Sequence, residues 1–137
     1  VSKLEDLMLS IVKQHTLKLI DKGCLMKKRI IAIPMSKEAQ HRLDYDECLN
    51  GDLKEYNLTE NEFSELLDIG FFQDINNSLG VIISDYESEE IVGDKLHLLE
   101  SFMENYIKNH KDILVINDIN KLFKVAYEKN TGVYFFF

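Results

Sequence analysis

Three groups of side chains in this sequence have types and spacings that could do chemistry. His41, Asp44 and Cys48 fall on neighbouring turns of one expected helix, where an imidazole could orient a base against a thiol. A nucleophilic cysteine also needs a lowered pKa and an oxyanion hole, and nothing around position 48 suggests either. The second group resembles a calcium loop in two registers. Counting from Asp44, positions 1, 3 and 12 are Asp44, Asp46 and Glu55, but position 5 is Cys48 and Leu49 stands where glycine is required. Counting from Asp46 puts Asn50 and Gly51 in place but leaves Cys48 and Asn57 at ligand positions. Neither register closes, so no metal is expected. The third group is the run Asp85, Glu87, Glu89, Glu90. Acid/base catalysis needs carboxylates in environments that push their pKa values apart, and neighbours on one short segment share one environment.

The remaining signals are absences. His15, His41, His97 and His110 are scattered, with no Cys or His partner at zinc-ligand spacing. There is no glycine-rich phosphate loop, nucleophile elbow or dinucleotide fingerprint. The expectation is a non-catalytic protein without cofactors. A small enzyme with an acidic or Cys/His site is the alternative, together with an acidic regulatory or structural subunit of an oligomer.

Charge is more informative. The chain carries a net charge of −8, unevenly spread. Residues 1–37 hold eight Lys/Arg against three Asp/Glu, residues 38–107 three against eighteen, and residues 108–137 five against three. Such a field repels nucleic acid and anionic bilayers and speeds encounter with a basic protein. Tyr86 lies in the middle of the acidic run, where a ring flanked by charge suits an interface anchor. A solvated acidic face, with Tyr86 leaning over a core edge, accounts for the same residues.

These residues must be positioned by the elements around them. Ser2 and Glu5 fit a capping box ahead of Leu4, Leu7, Met8, Ile11, Val12, His15 and Leu19, the stripe of an amphipathic helix ending near Gly23. Ile30-Ile31-Ala32-Ile33, closed by Pro34, reads as a strand whose preceding Lys27-Lys28-Arg29 could bind phosphate or guard an edge. Ser36 caps a second helix through Cys48, and a turn at 49–52 leads to an extended link over 53–58. Thr59 and Glu62 form a second capping box. Gly70 interrupts that helix before Phe71, Phe72, Ile75 and Leu79 resume helical spacing, and Gly80 suits a left-handed stop. Val81-Ile82-Ile83 is β-prone and expected to be extended. Asp94 caps a long helix with a stripe of Leu96, Leu99, Phe102, Met103, Tyr106 and Ile107. Residues 113–116 read as a strand, and 121–128 with 133–137 as a hairpin across Lys129-Asn130-Thr131-Gly132.

The pattern predicts an α+β fold: a single domain over 1–137, four or five helices on one face of a small, mainly antiparallel sheet, and a C-terminal β-hairpin. Its 137 residues suffice for one core, and 45% hydrophobic with 29% charged residues is a folded rather than a disordered composition. Cys24 and Cys48 are too few for a disulfide framework, and Val1 to Leu7 carries acids where a signal peptide carries bases. A cytoplasmic protein is expected.

The stretch from Leu79 to Ile91, between two helices, resembles the second half of an acyl carrier protein. The Asp-Ser-Leu attachment motif would fall at Leu67-Asp68-Ile69, where there is no serine, so no phosphopantetheine group is implied. The run Phe71-Phe72-Gln73-Asp74-Ile75-Asn76 followed by Asp85-Tyr86-Glu87-Ser88-Glu89-Glu90, in a small acidic α+β chain, resembles bacterial immunity proteins of contact-dependent and other polymorphic toxin systems. That resemblance implies an inhibitor that masks a basic toxin, often a nuclease, with acidic residues. Asp74, Asp85, Tyr86, Glu87, Glu89 and Glu90 are then the candidate partner-binding residues. The partner would be a basic protein, with no nucleic acid or membrane involved and the oligomeric state left open.

Overall fold

A computed structural model describes residues 27–137. The expected helix between Ser2 and Gly23 lies outside the described residues. At the centre is β1 (Arg29–Pro34), whose six residues are all buried because both faces of the strand are covered. It pairs antiparallel with β2 (Leu53–Leu58) on one side, Ile31 opposite Tyr56, and with β4 (Gly132–Phe136) on the other, Ile31 opposite Phe135. β3 (Glu89–Val92) pairs antiparallel with β4, Ile91 opposite Val133. The order β2-β1-β4-β3 puts the C-terminal strand inside the sheet.

Strand periodicity divides the core in two. Ile31, Ile33, Ile91, Val133 and Phe135 face a large apolar cluster built by four helices: α2 (Glu60–Asp68), α3 (Phe71–Leu79), α4 (Asp94–Asn109) and α5 (Leu114–Lys129). Ile30, Ala32 and Tyr134 point the opposite way and meet Leu43 of α1 (Lys37–Asp44). Among the described residues there are thus five helices and four strands, an α+β arrangement, with α1 alone on its face. Helices therefore cover both faces of the sheet, not one.

Local chemistry explains most boundaries. The Ser36 hydroxyl accepts from Ala39 N–H, and Thr59 and Glu62 complete both bonds of the capping box. Gly70 and Gly80 adopt left-handed φ values of 77° and 70°, bracketing α3 as only glycine does without strain.

The expected C-terminal hairpin is not formed. Residues 114–116 and 121–128 belong to the single 16-residue helix α5, with Ile113 as its extended N-cap residue, and β4 pairs with β1 and β3 instead. Val115, Ile116, Ile119, Leu122, Phe123 and Ala126 are all buried at three- and four-residue spacing, so the helical stripe outweighs the β propensity of its first turn. The residues expected to turn the hairpin end the helix: Asn130 is left-handed at φ 53°, and Thr131 N–H bonds to Ala126 O. Leu53–Leu58 is a full edge strand, not a link. α1 stops at Asp44 rather than at Cys48; Asp46, two residues on, has a left-handed φ of 55° that a helix cannot contain. Asp94 is the first residue of α4 and not its cap, which is Gly93. Val81-Ile82-Ile83 joins no sheet ladder.

Candidate functional site

The acidic segment begins in the loop from Gly80 to Ser88, which carries α3 into β3, and continues into the first two residues of that strand, Glu89 and Glu90. The loop backbone cannot be satisfied by a ladder, so side chains do the work. The Asn76 carboxamide pairs with Ile83 as a strand would, accepting from its N–H at 2.7 Å and donating to its carbonyl at 3.1 Å. Glu89 accepts from Ile82 N–H at 2.8 Å and from Glu90 N–H at 2.9 Å, one carboxylate closing the loop. Lys95 Nζ donates to Gly80 O. Val81 and Ile83 are buried, and the alternation turns Ile82 outward, 65% exposed.

The tip is held from β1. Arg29 grips both Asp85 oxygens, Nε to Oδ1 at 2.7 Å and Nη2 to Oδ2 at 2.9 Å, and Lys27 adds an ion pair and a bond to the Asp85 carbonyl. Hydrogen bonding from Arg29 holds the Asp85 carboxyl below the ordinary carboxylate range. Tyr86 follows immediately, its N–H bonded to Ser84 Oγ and its side chain 94% exposed.

The six candidate residues separate into distinct environments. Asp85 and Glu89 are spent on the loop itself. Tyr86 and Glu87 face solvent. Glu90 points to the α1 side, where partial burial and then the nearby Asp44 carboxylate raise its pKa, against a lowering contact with Tyr134. Asp74, exposed on α3, stands beside Tyr106 of α4, whose hydroxyl is pushed up to about 12 by burial and, less, by Asp74. Arg29, Asn76 and Ile82 are the residues that sequence reasoning missed. Alternating burial in Val81-Ile82-Ile83 could have revealed Ile82. No sequence signal links Arg29 to Asp85, 56 positions away.

The other candidates for chemistry are less well formed. Burial first, and Asp52 next, push the Cys48 thiol up, the reverse of what a nucleophile needs. His41 packs against Tyr45 with the rings tilted by 59°, ring centres 4.8 Å apart. Asp52, in the turn at 49–52, is directed inward, with two 2.7 Å bonds from Arg42 and one from Leu49 N–H. Among the described residues no three His, Cys, Asp or Glu side chains gather as a metal ion would require. A groove of about 380 Å³ between α3 and α4 is lined by Leu98, Phe102, Tyr106 and by Ser and Asn side chains. No described helix is long and apolar enough to cross a membrane. Comparison with protein-family models, curated proteins and solved structures returned no match.

Proposed function

We propose that this chain is a non-catalytic binding protein whose 80–88 loop docks on a basic protein, in the manner of an immunity protein that neutralises a cognate toxin, with a nuclease as the favoured target. The observation that carries the reading is Tyr86, 94% exposed on a loop fastened at residues 80, 82, 83 and 85. A large ring left in water on a fastened segment costs little further entropy when a partner buries it, which is the condition for an efficient anchor. Ile82, also exposed, adds apolar area on the same loop. Glu87, exposed next to Tyr86, supplies a carboxylate suited to lysine or arginine. The acidic middle of the chain steers the encounter, and masking of a nucleic-acid-binding surface is its consequence.

The test is binding to the product of the neighbouring gene. A one-to-one complex is expected whose association slows as ionic strength rises, because steering acts over about 8 Å at physiological salt. A neighbour that encodes no basic protein, or one that fails to bind, removes the reading.

A further inference from the structure

Arg29 begins β1, with 9% of its surface exposed, yet its guanidinium joins three parts of the molecule. Besides gripping both Asp85 oxygens, it reaches Glu60 in the first turn of α2 through Nη1 at 2.7 Å. It also lies 3.9 Å from the centre of the Phe63 ring on the same helix. A planar fork fixes the position and the rotation of the carboxylate it holds, which a point charge does not. Asp85 immediately precedes Tyr86, so the direction of the chain at the tip is set from the buried side.

The first half of the loop is held by other means. Residues 80–83 are tied to Lys95, Glu89 and Asn76, and those ties end at Ile83. We propose that Arg29 is the positioning residue for Tyr86: its bidentate grip on Asp85 presets the loop tip in the orientation a basic partner meets, independently of the ties that hold residues 80–83. This rests on the docking role proposed above. Once the grip is released, only a fraction of molecules present the ring correctly, and apparent affinity falls by that fraction.

The experiment is backbone ¹⁵N relaxation on the wild type and on Arg29→Met, Arg29→Lys, Asp85→Ala and Glu60→Gln. Wild-type order parameters at 85–87 are expected near about 0.85. In Arg29→Met and Asp85→Ala they should fall below about 0.6, while Ile82 and Ile83 keep their wild-type values. Arg29→Lys, which keeps the charge but loses the fork, should behave like Arg29→Met. Glu60→Gln weakens the other arm of the guanidinium and should leave the tip rigid. Asp85→Ala also removes the Lys27 ion pair, so Lys27→Met is its control and should leave the tip rigid. Asp85→Ala then decides the matter if Arg29→Met does not fold, whereas a tip loosened as much by Lys27→Met as by Asp85→Ala overturns the proposal. A tip already mobile in the wild type, a tip equally rigid in Asp85→Ala, or loosening of 80–88 as one unit overturns the proposal. In kinetics against the basic neighbour, Arg29→Met and Asp85→Ala should associate several-fold more slowly and dissociate as the wild type does. If relaxation separates the variants as expected and no basic protein binds, Arg29 still sets the tip and the docking role is what falls.

Discussion

Asp85 and Glu89 show how a carboxylate can belong to an acidic sequence yet be unavailable to a partner. One neutralises Arg29 and Lys27, the other closes a loop on two backbone amides, and both are tasks that residue type alone does not reveal. Asp52 is a third case, and it gives a pH prediction. Hydrogen bonds from Arg42 hold its carboxyl at about 2, below its ordinary 3.8. A lowered carboxylate pKa contributes stability that is present above the ordinary value and lost as pH falls through the native one. Asp85 acts in the same direction. Stability should therefore decline between about pH 4 and pH 2, and chemical denaturation of Asp52→Asn across that window should show a shallower decline than the wild type. Equal slopes for the two proteins would remove Asp52 from the acid response.

At the scale of elements, what was legible was whatever local chemistry enforces. Ser36, the Thr59/Glu62 box, the glycines around α3 and the stripe of α4 all act within a few residues, so their signals are in the sequence. One error arose where packing partners are distant. Residues 133–137 do not reveal that their partner strands are β1 and β3. The strand expected at 113–116 is a different error, of period: the apolar residues continue at helical spacing to Ala126, a local signal that outweighs four β-prone residues. Of the candidate site, the acidic run around Tyr86 was visible in the sequence, whereas the roles of Arg29 and Asn76 were not, because their pairings with the loop exist only in the folded chain. The β3–β4 contact allows a direct check. A Cβ added at Gly132 would lie 2.6 Å from Val92 Cγ1 and 3.0 Å from Ile91 O, so the Val92 side chain must turn away or the two strands must shift to admit it. Gly132→Ala should destabilise by about 1–3 kcal/mol in denaturant melts, and a neutral result would mean the strands are not so closely apposed.

The whole molecule is closed by its last strand. β4 lies between β1 and β3 and contributes Val133, Tyr134 and Phe135 to the core, so residues 133–137 hold the two sides of the sheet together. Removing them exposes apolar surface on both layers and leaves β1 and β3 with open edges. The truncated chain should be insoluble or lack a cooperative unfolding transition. A soluble, cooperatively melting truncation would contradict the central place of β4.

The same architecture leaves the 80–88 loop free to carry a ring that contributes nothing to folding, and dissociation kinetics test that most directly. With Tyr86 as the anchor, Tyr86→Ala should melt as the wild type does and associate with the basic neighbour at nearly the wild-type rate. It should dissociate about 30-fold faster, the equivalent of about 2 kcal/mol. Dissociation at the wild-type rate from a formed complex would show that the partner does not bury Tyr86, and would contradict the account.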